Sequence, residues 1–257
     1  MSRIVNRAAT SPLAYQASGT FQQSTDASLQ TMLGTRWDLE DGRELVMVLA
    51  GASNLAVGKL MQDAALISNH QNLAVTAFTA YSTTTNLPAQ VTVTLGATLA
   101  TVNQYQLGYA VVVDGTGAGQ TLQIQSHPAA ALSASVVITL ADAPNTALDT
   151  TSKISLIPQP ANNVIIYPHG AMTNAVRGVT FYPVTAANYG FLATKGNWAC
   201  LADSTAPPAN SSISPSPNTD GAIAETPYTG NFVTGAVIGY SKYATVSAKY
   251  YEVELDL

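Results

Sequence analysis

The sequence predicts an all-β protein. Three observations carry the prediction: short apolar segments alternate with period two, clusters of Gly, Pro, Asn and Asp separate them at close intervals, and no 3.6-residue amphipathic period runs beyond three turns. In an alternating segment every second side chain falls on the same face, so one face meets a core while the other meets solvent or a partner.

In chain order, residues 1–32 hold no sustained period and are rich in Thr, Ser, Gln and Ala, which predicts an extended N-terminal arm ordered against neighbours. Within it Asp26 is placed to cap a short helix over Ser24–Leu33, which Gly34 stops. From Thr35 the pattern is β. Arg36–Leu39 leads into a turn at Glu40–Asp41–Gly42, Leu45–Leu49 is a strand, and Leu55–Val57 and Leu60 continue around Gly58. The middle gives the clearest strands: Val91–Leu95, Tyr109–Val113, Leu122–Gln125, Val136–Leu140 and Lys153–Ile157. Tyr109–Val113 and Leu122–Gln125 flank a glycine-rich loop, Asp114–Gly119, and read as a β-hairpin. The last third adds Val164–Tyr167, Gly178–Tyr182, Tyr189–Leu192, Trp198–Leu201, Gly235–Tyr240 and Tyr250–Leu257. Between them Pro207, Pro208, Pro215, Pro217 and Pro227 exclude a central strand or helix from 203–227, which is expected to be a long loop.

Composition narrows the function. Charged residues make up 10% of the 257 positions, against about a quarter in an average soluble domain. Between Ala64 and Ala141 the single charged residue is Asp114. A surface of Thr, Ser, Asn and Gln can be buried without desolvating charge, which suits a chain embedded in an assembly. The net charge of −5 argues against nucleic acid as a partner, since phosphate binding needs a basic stripe. No apolar run approaches the roughly 18 residues that span a bilayer, so no membrane partner is expected. Met1–Ser2–Arg3 is followed by polar residues, so no secretory leader is expected, and the single Cys200 allows no internal disulfide.

Chemistry finds little support in the pattern. His70, His127 and His169 stand outside metal-ligand spacing of one another and read as surface or loop histidines. Gly115–Gly117–Gly119 precedes a strand instead of a helix N-terminus and has no nearby Lys or Arg, so it reads as a hairpin tip and not a phosphate cradle. Glu252, Glu254 and Asp256 alternate with Val253, Leu255 and Leu257, as the solvated face of a terminal strand does. No catalytic, cofactor-binding or metal residue is assigned. Tyr is abundant at 12 residues, and Tyr240, Tyr243, Tyr250 and Tyr251 cluster near the end, as interface side chains or as edge-strand core.

Several segments resemble virion structural proteins of tailed bacteriophages. Leu33–Arg36, Asp41–Val48, Gly51–Ala52, Leu55, Gly58–Leu60 and His70–Val75 carry the first part of the similarity, and Gly117–Gln120 with Ile124–Pro128 continue it. Gly178–Val179, Tyr189–Phe191, Gly239 and Val253–Leu255 are similar to small capsid decoration, or cement, proteins, in which glycine-punctuated strands form a compact β-barrel. The resemblance spans most of 33–257 through soft glycine and aliphatic patterns, and 203–227 is poorly matched. It implies a small barrel built from two segments, 33–71 and 164–257, with 72–163 as an inserted β-hairpin or sandwich domain. It implies no catalytic position and no cofactor. The implied partners are the major capsid protein and further copies of the chain as a homotrimer, on the capsid exterior after assembly in the host cytoplasm. Arg3, Arg7, Tyr15 and Phe21 in the arm, with Tyr240 and Tyr243, are the candidate interface residues. Three other readings stand beside it. One is a tail, fibre-associated or minor head protein, or the major capsid protein itself, disfavoured because its usual long spine helix has no counterpart in this β pattern. Another is a glycan-binding module using Tyr81, Tyr105–Gln106 and Trp198. The third is a β-structured depolymerase, disfavoured by the scarcity of acids between 64 and 141.

Overall fold

The computed structural model describes residues 23–39, 41–169, 174–204, 207–229, 232–233, 236–243 and 248–257. The candidate interface residues Arg3, Arg7, Tyr15 and Phe21 lie outside them. The protein is nearly all β, with 4% of residues helical and 43% in strands. It divides into two compact units, one comprising the chain up to Ala65 with Ala161–Leu257, the other Leu66–Pro160. The resemblance had implied boundaries at 71/72 and 163/164.

The strands in chain order are β1 (Arg36–Asp38), β2 (Glu44–Leu49) and β3 (Leu60–Gln62) in the two-segment unit, then β4 (Leu73–Thr79), β5 (Gln90–Thr94), β6 (Tyr109–Asp114), β7 (Thr121–Ser126), β8 (Ser135–Leu140) and β9 (Lys153–Ile157) in the inserted unit. The chain returns through β10 (Ile165–Ile166), β11 (Val176–Val179), β12 (Tyr189–Leu201), β13 (Ser212–Pro215), β14 (Ile223–Glu225), β15 (Tyr228–Thr229), β16 (Phe232–Val233), β17 (Gly239–Ser241) and β18 (Tyr250–Asp256).

The inserted unit is a closed barrel of strand order β4-β5-β8-β7-β6-β9, with β9 pairing back to β4 through Leu73↔Ile154 and Ala74↔Lys153. Its strands alternate as the sequence predicts, and the inward set (Val91, Val93, Ile124, Ile138, Ile154, Leu156) is fully buried. The closed ring therefore lies in the insertion, where hairpins or a sandwich were expected. The physical reason is closure itself: six strands with one apolar face each can wrap around a single core and leave no edge. Edge strands are normally protected by charge. A ring without edges tolerates the near absence of Lys, Arg, Asp and Glu here.

The two-segment unit is built on a ten-stranded sheet with the path β10-β3-β11-β12-β18-β17-β13-β14, and β2 and β1 attached beside β12. The two strands expected at Tyr189–Leu192 and Trp198–Leu201 are one 13-residue strand, β12. Its first half pairs with β2 and its second half with β18. Both faces of the first half are buried, so this part of the sheet is covered on each side. Trp37 and Phe191 meet edge to face at 5.0 Å in its core. Strands β13 and β14 fall within the proline-rich segment, and β13 lies between β17 and β14, which corrects the expected loop. Proline is tolerated there because Pro207 and Pro208 precede the strand, Pro215 ends it, and Pro217 and Pro227 follow strands.

The arm reading is also corrected for residues 23–32. Asp26 does cap a short helix, a 3-10 turn over Ala27–Met32, by accepting from the Ser28 amide. That turn is docked, because Leu29 is buried in the core and Ser24 pairs with Tyr189. At the β6–β7 hairpin tip Gly115 has φ +76° and its missing Cβ faces the Thr151 carbonyl. Gly115→Ala is expected to cost about 1–3 kcal/mol from the left-handed backbone alone, with the carbonyl contact adding to it. Urea unfolding followed by circular dichroism measures this, and an unchanged midpoint would contradict it.

Candidate docking surface

Two loops meet at one end of the barrel. Residues 95–108 connect β5 to β6, and residues 127–134 connect β7 to β8. They are joined by a two-residue bridge in which the amides of Ala100 and Ala130 each donate to the other's carbonyl at 2.9 Å. The Ser133 amide donates to Gly96 at 2.8 Å. The Gly96 amide in turn donates to Asn69, whose side chain reaches the Thr98 hydroxyl at 3.0 Å.

Beneath these loops lies a buried His–Tyr–His cluster. His70, Tyr105 and His127 are 0%, 1% and 4% exposed. The His70 Nε2 sits 2.9 Å from the Thr98 carbonyl, which can only accept, so that nitrogen carries the proton. Its Nδ1 then accepts from the Tyr105 hydroxyl at 2.5 Å. The His127 Nε2 accepts from the Tyr105 backbone amide at 3.0 Å, and its Nδ1 donates to the Pro128 carbonyl at 2.8 Å. With the proton of His70 on Nε2 and that of His127 on Nδ1, the two rings take opposite tautomers. Burial pushes the Tyr105 hydroxyl far above the ordinary tyrosine value. Burial also holds His127 below the ordinary histidine value, with the Pro128 carbonyl acting in the opposite sense and His70 adding a smaller downward push.

The outer side of the same loops exposes aliphatic side chains together with Thr101 and Ser133. Leu99, Val102 and Leu132 are 54%, 64% and 61% exposed, and Pro128, Ala129 and Ala131 are exposed beside them. Single exposed aliphatics are ordinary, but here three stand on two loops tied to one another. The charged residues of the whole unit are Asp114, Asp142, Asp149 and Lys153. Asp114 and Lys153 pair at 3.2 Å, Asp149 accepts from Thr116 and Thr151, and Asp142 accepts from the Gln123 amide. The rim itself carries no charge.

The two-segment unit has an open polar cleft of about 600 Å³, lined by Asp41, Arg43, Lys195, Asn197, Tyr240 and Glu254 among others. Its cations are engaged internally. Arg43 bonds Asp41 at 2.7 Å and stacks 4.5 Å over the Trp198 ring, and Lys195 approaches Glu44 at 3.8 Å. Trp198 is buried under that guanidinium and Tyr105 is inside the barrel, so neither is an exposed platform for a glycan. Tyr81 is exposed and bonds Asn86.

The candidate interface residues Tyr240 and Tyr243 are both exposed, as is Tyr250, while Tyr251 is half-buried and meets the Tyr243 ring at 6.4 Å. Glu252, Glu254 and Asp256 face outward from β18 while Val253 and Leu255 face the core. His169 is a surface residue bonded to Asp220 at 2.7 Å, as expected. His127 lies in a loop and His70 ends a short 3-10 turn over Ser68–His70, and both are buried, which corrects the surface reading for these two. Cys200 is buried and its thiol is pushed up by that burial. Among the described residues no group of three or more His, Cys, Asp or Glu is placed to hold a metal ion. Sequence reasoning missed the rim, whose one visible signal was the charge-free stretch on which it lies. No family model, no curated protein and no solved structure matches the chain.

Proposed function

We propose that the chain is a non-catalytic structural subunit of a virus particle, binding the outer face of the protein shell and reinforcing it. The observation that carries this reading is the uncharged apolar rim on a barrel with so few charges. Contact there buries Leu99, Val102 and Leu132 without desolvating a charge, and interface cores are depleted of charge for that reason. The complementary partner is a protein surface equally poor in charge. A carboxylate or amine pressed against this rim would lose water and gain no counter-charge. A shell lattice repeats such a surface many times, so a modest contact is multiplied when several copies act together. Three copies of the chain around one axis complete the arrangement, and the exposed Tyr240 and Tyr243 suit contacts of the same kind. The soft glycine and aliphatic patterns that resemble capsid decoration proteins are what point to the shell as the partner.

The test is the copy number of the chain on purified particles and its response to two changes. A number that scales with the shell subunits is expected, whereas a few copies per particle would move the protein to the tail or portal. A folded Leu99→Glu, Leu132→Glu variant is expected to bind shells at least about tenfold more weakly. Unchanged occupancy would remove the rim from the contact. Removal of residues 1–22, which leaves Leu29 in its core, tests the arm separately.

A further inference from the structure

The apolar rim is anchored on two histidine rings. Resting on the docking reading above, we propose that the rim is an acid-released surface: protonation of His127 opens the loops 96–107 and 127–134 while the barrel strands stay paired. Both nitrogens of His127 are already committed, Nε2 as an acceptor from the Tyr105 amide and Nδ1–H as a donor to Pro128. A second proton must go to Nε2, where it faces the Tyr105 N–H. Acceptor becomes donor, the bond is lost, and a cation stands in a buried site.

Nothing nearby compensates that cation. The titratable groups around His127 are Tyr105, from the β5–β6 loop, whose ring packs against it, and His70, from the turn before β4, which packs against Tyr105. Neither is an anion. Asp114, Asp142, Asp149 and Lys153 are engaged with one another or with Gln123, Thr116 and Thr151, and none bonds either ring. The same loops carry the exposed side chains. Leu99 and Val102 lie between Thr98, held by His70, and Asn103, which accepts from the His127 amide at 2.9 Å. Loosening these anchors alters the rim before it alters the strands, since the strand ladders do not run through the histidines.

The direction follows from linkage. His127 is held below its ordinary value of 6.5 in the folded protein. The unfolded or opened chain therefore binds more protons between the two values, and the ring's contribution is complete above 6.5 and lost as pH falls through the lowered value.

The test is hydrogen exchange on the free full chain from about pH 7.5 to 5, corrected for intrinsic rates. Below 6.5 the Tyr105 amide is expected to lose protection about tenfold per pH unit until the folded His127 ring is itself protonated, while the amides of β5 and β8 keep theirs. In His127→Gln the side-chain oxygen can accept the same amide and does not titrate, so the pH dependence is expected to vanish. Should that variant not fold, the His127 ring followed by NMR in the unaltered protein must titrate at the pH where the fall in Tyr105 protection levels off. Constant protection, loss in step with β5 and β8, or a pH dependence surviving in the glutamine variant would each overturn the proposal. These readouts involve no shell, so they can fail while docking stands, and docking can fail while they succeed.

Discussion

Tyr105→Ala is expected to destabilise the barrel by about 3–5 kcal/mol, the range for removing a buried aromatic ring. Tyr105 is among the largest fully buried side chains of the protein, at 1% exposure, and packs within the barrel core. The substitution empties that space and also leaves His70 Nδ1 without its donor. Tyr105→Phe separates the two effects. It keeps the ring and removes only the hydroxyl, and the buried acceptor left behind costs about 1–3 kcal/mol. The measurement must report on the barrel itself. Trp37 and Trp198 both belong to the other core, so tryptophan fluorescence does not report on the barrel directly. Protection of the β5 and β8 amides against denaturant reports it directly. A cost for alanine no larger than that for phenylalanine would show that the ring is not packed as described.

Arg177→Met is expected to cost about 3 kcal/mol at neutral pH by leaving a buried carboxylate without its cation. Asp63 is 7% exposed and accepts from Arg177 through Nε at 2.5 Å and a terminal nitrogen at 2.7 Å. The pair ties Arg177 on β11 to the residue just past the end of its neighbour β3. Burial pushes the Asp63 carboxyl above the ordinary range, and Arg177 only partly offsets it. Without the guanidinium that value rises further, so the penalty is largest when the carboxylate must be charged and shrinks as pH falls and Asp63 protonates. Adding Asp63→Asn to the variant is expected to recover most of the loss at neutral pH. Here tryptophan fluorescence in urea is the right probe. A cost that does not vary with pH, or no recovery by asparagine, would contradict the account.

The sequence made local structure legible where pattern and pairing agree. Alternation in Val91–Leu95 and Leu122–Gln125 named real strands, and the acidic face of β18 faces out as its period requires. What pattern does not encode is which distant strand closes a sheet. The barrel depends on β4 meeting β9, and no local feature of Leu73–Thr79 announces that partner. The proline-rich segment misled for a related reason. Proline forbids a donor at its own position, yet β13 needs donors only between Pro208 and Pro215. The candidate surface was harder still. His70 and His127 look like loop histidines because Tyr105, which they share, lies 35 and 22 residues away in the chain. Leu99, Val102 and Leu132 look like scattered loop aliphatics until the Ala100–Ala130 bridge puts their loops side by side.

The barrel's point of departure also governs how the two-segment unit folds. Gln62 and Ile165 face each other across the antiparallel pair of β3 and β10. To the sheet that contains them, everything between is a single hairpin connection. Were that connection a floppy tether, closing it would cost roughly 3 kcal/mol more than closing a tight turn. A barrel that has already folded shortens the effective tether and removes much of that entropy. The insertion thus acts as an internal crosslink for its host, and replacing it with an unstructured spacer of equal length should weaken the host more than replacing it with a turn.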